Sequence, residues 1–366
     1  MKKIFKFIII ILIIFFIIEL IKNNKNNKIS NLLKKDYTEK YYINELYKSK
    51  QINYRLELNK KEKKLYDIFI KNLLNFNNNF KIDLSDYKFE YDYEYFNEIK
   101  KISNAVITDH PEIIYFGYTK VSKEKNSSVV NIVIEYVMSK DEYLKNIKYI
   151  KKEIDKIKIK TNNMSDYDKT KYVYEYLGKK NNYGNVKDSM SQSAYSAFND
   201  ELSPVCSGYS RASQLIFSNI KITSILMSGN LKSSWLTGDS HEWNIVKIDN
   251  QYYIYDVTQS SILKNITSNI LYVGLLNQNK NLYSSNYKKV NPIINGKKYN
   301  YYKLNNLTYN YNKKNLYELK KLLNNKYTEL KMNNISNFKN DFNNIKKELN
   351  LKKYYIIDDI IVLEKN

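Results

Sequence analysis

Four short runs fall within one window, residues 192–258: Gln192-Ser193-Ala194-Tyr195-Ser196-Ala197-Phe198, Val205-Cys206-Ser207-Gly208-Tyr209, His241-Glu242-Trp243-Asn244 and Tyr255-Asp256-Val257-Thr258. The window holds the chain's only cysteine and one of its two histidines, followed by an aspartate. A thiol activated by a histidine that an acid orients is the cysteine form of triad chemistry. Cys206, His241 and Asp256 are therefore the candidate catalytic residues.

Local patterning supports this. Pro204 suits a helix start, and Ala212, Leu215 and Ile216 share one helical face, which places Cys206 in a first turn. There the positive end of the helix dipole favours thiolate, and Gly208 allows close approach by backbone or substrate. Glu242 to Ile248 and Gln251 to Val257 read as strands around Asp249-Asn250, a two-residue hairpin turn. In that register Ile248 opposes Gln251, Trp243 opposes Asp256 and His241 opposes Thr258. His241 and Asp256 are then diagonal neighbours on one face, roughly 7–8 Å apart at the backbone. That spacing lets Asp256 fix the tautomer of His241. Trp243 is expected to pack beside the pair.

Outside the window the composition is basic, with a formal net charge of +22 over 366 residues. Nucleic acid is not the expected partner. Lysines are spread along the whole chain, Arg55 and Arg211 are the arginines, and no nucleic-acid-binding signature is present. A basic surface is compatible with an anionic cell wall. One cysteine excludes an internal disulfide framework. Lys2, Lys3 and Lys6 precede an apolar run from Phe7 to Ile18 closed by Glu19. With Leu20 and Ile21 the run approaches the roughly 17–20 residues that span a bilayer. No small-residue cleavage site follows, so residues 1–22 read as an uncleaved signal-anchor with the body outside.

Residues 23–30 are a polar tether. Residues 31–158 read as an N-terminal α+β domain, with helices at Lys61 to Leu74 (Leu65, Ile68, Phe69 and Leu73 at helix spacing) and about Phe96 to Asn104. A strand at Val129 to Tyr136 and a Lys-rich helix to about Ile157, started by Ser139, Asp141 and Glu142, complete it. His110, before Pro111, is read as structural rather than metal-binding. Ser165 with Asp168 caps a helix that runs to a break at Gly178 to Gly184. Ile270 to Gly274 reads as a further strand. Residues 292–366 suggest alternating strand and helix: Tyr299 to Leu304, Asn315 to Leu323, Tyr327 to Met332, Ser336 to Leu349 and Tyr354 to Leu363, the last a strand.

The stretch from Ser165 to about Val273, about a third of the chain, resembles the transglutaminase-like superfamily found in bacterial exported proteins. The resemblance rests on Ser193 to Phe198, Val205 to Tyr209, His241 to Val246 and Tyr253 to Thr258. Asp109 to Phe116 is similar to a segment of the domain that precedes the catalytic one in such proteins. The resemblance implies a papain-like α+β core over residues 159–291, with the cysteine on a helix N-terminus and the histidine and aspartate on an antiparallel sheet. It implies Cys206 as nucleophile, His241 as general base then acid and Asp256 as orienting acid. No metal or organic cofactor enters the acyl transfer. The oxyanion would meet the Cys206 N–H and a second donor, for which Gln192 is a candidate. The substrate would be a protein or peptide, cell-wall peptide included. Pro204, Glu242 and Gln259-Ser260-Ser261 depart from the family pattern and leave open an altered substrate or a degraded site. The acyl acceptor, water or an amine, stays open, and the alternative is a non-catalytic wall-binding module on the same fold.

Overall fold

The computed structural model describes residues 54–366 apart from 90, 186–188, 233–236, 268–270, 278–281 and 286. The apolar run Phe7 to Ile18, the tether and the start of the N-terminal region lie outside the described residues. No helix among the described residues is long and apolar enough to cross a membrane. The described residues fall within one compact unit, residues 47–366, of mixed α+β architecture with three separate sheets.

The first sheet belongs to the N-terminal region. Helix α1 (Lys60–Leu74) starts at Asn59, whose side chain accepts from the Lys61 and Glu62 N–H groups while Glu62 answers the cap backbone. It buries Leu65, Tyr66, Phe69 and Leu73. Ile68, expected on that face, is exposed, and Tyr66 takes its place because its hydroxyl reaches Asp109. Strand β1 (Asn79–Asp83) is followed by helix α2 (Asp92–Asp109), which is longer than the expected Phe96 to Asn104. Strands β2 (Phe116–Lys123) and β3 (Val129–Tyr136) complete an antiparallel sheet of order β1-β3-β2. Val130, Ile132 and Ile134 alternate inward along β3. Helix α3 (Lys140–Thr161), capped by Ser139, follows with Ile147, Ile150, Ile154 and Ile157 on one buried stripe. Burying each of these isoleucines contributes about 2 kcal/mol.

The segment before α1 is stapled to both halves. Asp109 accepts from the backbone N–H groups of Tyr54 (2.6 Å) and Arg55 (3.0 Å) and from the Tyr66 hydroxyl. Burial pushes the Asp109 carboxyl up to about 6 against these hydrogen bonds. The Tyr54 hydroxyl accepts from the Ser228 N–H at 3.0 Å. Glu57 accepts from the Val290 N–H at 2.9 Å.

The central region opens with helix α4 (Asp166–Lys180), capped by Ser165 as expected. The expected break at Gly178 is corrected: the helix continues through buried Gly178 to Lys180. Helix α5 (Cys206–Asn219) packs on strands β4 (Thr223–Lys232) and β5 (Thr237–Ile248). Strand β6 (Gln251–Tyr255) returns from β5. The Asp249-Asn250 turn forms with both residues at positive φ, 48° and 61°, as a mirror-image two-residue hairpin requires. The register pairs Ile248 with Gln251 and Asn244 with Tyr255, as the sequence predicts. The strand then ends sooner than expected. Residues 257–267 form helix α6 (Val257–Thr267), so Thr258 has left the ladder instead of opposing His241. The cause is Asp256, whose Oδ1 accepts the Thr258 N–H at 3.0 Å and turns the chain into the helix. Strands β7 (Leu275–Asn277) and β8 (Tyr283–Ser284) give the five-stranded order β7-β6-β5-β4-β8.

The expected strand at Ile270 to Gly274 is also corrected: residues 271–274 are irregular and β7 begins at Leu275. Backbone groups there bond elsewhere. The Tyr272 N–H donates to both carboxylate oxygens of Glu329, at 2.9 Å each, and the Leu275 N–H closes a turn on the Tyr272 carbonyl.

In the C-terminal region Tyr299 to Leu304 is not a strand. Asn300 accepts the Lys303 N–H and caps a short helix, α7 (Tyr301–Leu304). Strand β9 (Thr308–Asn310), helix α8 (Leu316–Leu322), strand β10 (Tyr327–Asn333) and helix α9 (Ile335–Ile345) follow. The expected final strand is a hairpin, β11 (Leu351–Ile357) and β12 (Ile360–Lys365), turned at Asp358 with φ 58°. The sheet order is β11-β12-β10-β9, and Tyr302, Ile357, Ile360 and Val362 pack on Leu263, Leu271 and Val273 of the central region.

Glu329 sits in this seam, also accepting from the Tyr302 hydroxyl at 2.8 Å, and burial pushes its carboxyl up to about 7. A carboxyl with a raised folded pKa takes up a proton on folding, so its contribution falls as pH rises from about 4.5 through 7. Glu329→Gln removes that dependence. Relative to wild type, the variant should gain up to ~3 kcal/mol of stability between pH 5 and pH 8, read by denaturant unfolding at both pH values. A stability difference that does not change with pH would sink the assignment.

Candidate active site

Cys206 is the first residue of α5, preceded by Val205 in extended conformation, and its side chain is partly exposed. Pro204 lies just ahead of the helix rather than in it. Gly208 is required by the chain's own backbone. A Cβ there would meet the Ser191 carbonyl and the Ser196 hydroxyl, each at 2.6 Å, because the short 3-10 turn Ser189–Gln192 crosses the first turn of α5. The Ser191 carbonyl also accepts the Val205 N–H at 3.0 Å, which fixes the helix start. Gly274 has a similar role under Asp256, whose carbonyl leaves it no room for a Cβ, while the Asp256 N–H donates to the Gly274 carbonyl.

Three contacts bind the cysteine helix to the histidine strand. Arg211 of α5 forms a bidentate pair with Glu242 of β5, at 3.2 and 2.8 Å. Gln214 accepts from Ser224 (2.9 Å) and Asn244 (3.2 Å), so one buried amide joins α5, β4 and β5. Glu242 and Asn244, on either side of Trp243, thus carry the packing of β5 on α5.

His241 and Asp256 meet directly: Nε2 lies 2.8 Å from Oδ2, and both residues are buried, 4% and 2% exposed. With Nε2 committed to Asp256, Nδ1 is the ring nitrogen left for the thiol. Burial opposes a charged imidazole here, but the charge and hydrogen bond of Asp256, then the hydrogen bond with Cys206, outweigh it and raise the His241 pKa to about 10. Burial likewise opposes the Asp256 carboxylate, yet the His241 charge and three hydrogen bonds hold it below the usual range. The indole of Trp243 lies parallel to the imidazole, centroids 6.1 Å apart, and bars water from that side.

Two tyrosines in the site escaped the sequence reading. Tyr283 of β8 donates to Asp256 Oδ2 at 2.9 Å and accepts from Gln259, so it helps orient the acid. Tyr183 follows α4. It lies beside Cys206, and burial raises the pKa of its hydroxyl. The Gly184 N–H fastens this segment to the Pro204 carbonyl at 2.9 Å. Among 37 tyrosines, neither carries a signal in the sequence. Gln192 lies in the crossing 3-10 turn, where its carbonyl accepts from Arg211 at 3.2 Å. His110 lies far along the chain from this site and bonds Glu112 at 2.8 Å. No cluster of three or more metal-ligating side chains occurs among the described residues.

No protein-family model and no curated protein sequence matches the chain. Among solved structures it is similar to a proposed cysteine protease from Cytophaga hutchinsonii, with 10% identity and a TM-score of 0.27 over 40% of this chain and 63% of that one. It is also similar to a transglutaminase, with 14% identity and a TM-score of 0.27 over 58% of this chain and 55% of that one. The chain thus spans less than two-thirds of the length of either structure.

Proposed function

We propose that this chain is a thiol acyl-transfer enzyme of transglutaminase-like type, held at a membrane by the run Phe7 to Ile18 with its body outside the cytoplasm. The observation that carries the reading is the buried His241–Asp256 pair, 2.8 Å apart, with its imidazole beside a cysteine that opens a helix.

In this reading His241 takes the thiol proton and the Cys206 sulfur attacks an amide carbonyl carbon. The C–S bond forms as the carbonyl π electrons move to oxygen. The Cys206 N–H receives the oxyanion, and the Gln192 amide is the proposed second donor. Collapse breaks the C–N bond, and His241 gives its proton to the leaving amine. Water or an amine then adds to the acyl-thioester and restores the thiol. Asp256, kept anionic by Tyr283 and the Thr258 N–H, holds the ring in the tautomer both steps need. Trp243 and Tyr283 screen the pair from solvent on one side, which favours hydrolysis or transfer according to what enters beside Cys206. The substrate class is a protein or peptide amide, cell-wall peptide included.

Alkylation by iodoacetamide tests the reading. Cys206 should react at pH 6 at least tenfold faster than free cysteine, because the buried His241–Asp256 pair activates the nucleophile beside it. His241→Ala should abolish that excess rate. A rate matching free cysteine and unmoved by His241→Ala removes the enzyme reading.

A further inference from the structure

A cleft of about 570 Å³ separates the N-terminal sheet from the cysteine helix and the histidine strand. One wall is formed by β2, through Gly117, Tyr118, Thr119 and Val121, together with the face of α2 that carries Phe96, Ser103 and Ile107. The other carries Arg211, Ser240 and Glu242, the last two being the residues on either side of His241. The cleft therefore runs up to the strand that holds the imidazole.

The β2 wall has an unusual property. In the order β1-β3-β2 it is the outer strand, paired with β3 along one side, and no strand pairs with its other side among the described residues. Both parities of β2 line the cleft, so an edge, and not only one pleated face, is turned to it. Tyr118, Lys120 and Ser122 are exposed. The Lys120 ammonium, a usual guard of exposed edges, is instead drawn to Glu135 at 2.6 Å on the neighbouring strand. Alternate backbone N–H and C=O groups of such an edge point away from the sheet, ready for a further strand.

We propose that the cleft seats the substrate as an extended polypeptide segment, added as a strand to the free edge of β2. The inference rests on the thiol acyl-transfer reading, which supplies the continuity between the cleft and His241. Strand addition binds through main-chain hydrogen bonds and takes alternate side chains into pockets. An eight-residue strand at roughly 3.3 Å per residue offers a track of about 26 Å, longer than a dipeptide can use. Selection is then for unfolded or flexible chain segments rather than for small amides. Arg211 and Glu242 satisfy each other at the far wall, so that wall presents a neutral pair to the bound segment.

Hydrogen exchange on the full chain tests this directly. Cys206→Ser protein, or wild type blocked by iodoacetamide should the variant not fold, is mixed with saturating reduced, carboxymethylated lysozyme as the unfolded polypeptide. The β2 amides that point away from β3, within residues 117–122, should exchange at least tenfold more slowly, with β3 unchanged. No slowing overturns the proposal, as does slow exchange at those amides before any polypeptide is added. Rapid alkylation of Cys206 without protection of β2 leaves the acyl-transfer reading standing and removes this one. Protection of β2 with an unreactive Cys206 does the reverse.

Discussion

On the acyl-transfer reading, Cys206→Ala should lower the turnover of peptide-amide acyl donors by about 10⁴-fold or more, because Cys206 is the chain's only thiol. The fold should survive the change. Cys206 is partly exposed at the first position of α5, and the helix start is held by the Val205 N–H on the Ser191 carbonyl, not by the sulfur. Far-UV circular dichroism and Tm should match wild type while rates of ammonia release and of new amino-terminus formation fall to background. Turnover within tenfold of wild type would remove Cys206 from the chemistry.

Asp256→Asn should be almost as damaging, for a different reason. The carboxylate accepts from His241, Tyr283 and the Thr258 N–H, and these three donors leave it no oxygen for a competing role. An amide has one acceptor oxygen. If that oxygen keeps the Thr258 cap, the NH2 group takes the Oδ2 position, faces Nε2 and the Tyr283 hydroxyl, and forces the ring proton to Nδ1, where it blocks proton abstraction from the thiol. Turnover should fall by about 10⁴-fold, as expected when the wrong tautomer is locked in.

The same change alters stability in a pH-dependent way. His241 has a folded pKa raised to about 10 from its ordinary 6.5. The raised value contributes stability that is fully present below about pH 6.5 and is lost as pH rises through 10. Without the Asp256 charge, burial dominates and pushes the imidazole below its ordinary value. Wild type should therefore lose stability between pH 7 and pH 10 relative to the variant, and two unfolding series measure it. Parallel curves would show that the pair does not hold the proton as described.

How much of this was legible follows the range of the interactions. The Asp249-Asn250 turn is local: two residues that tolerate positive φ set the register, and the register brings His241 to Asp256. The start of α5 is signalled locally, by Pro204 ahead of a periodic apolar face, although the Ser191 carbonyl is what holds it. What failed depends on distant partners. Leu271 to Gly274 has the composition of a strand, but Glu329, more than fifty positions away, takes its backbone hydrogen bond. Tyr354 to Leu363 is rich in strand-forming residues throughout, so the turn at Asp358 is masked by its neighbours. Glu242 reads as a departure from the family pattern until Arg211 is seen to claim it. Tyr283 reaches Asp256 only because β8 pairs with β4, a pairing of two residues that no local pattern announces.

Tyr54 sets the mechanics of the chain's entry into the described body. Its backbone N–H is held by Asp109, and its hydroxyl by the Ser228 N–H of β4. Tension applied through the preceding segment therefore divides at one residue, between α2 and the central sheet. The branch through Ser228 enters β4, the strand paired with β5. A pull on the segment ahead of Tyr54 is thus passed to the strand paired with the one that carries His241, so the His241–Asp256 distance is a place to read the load.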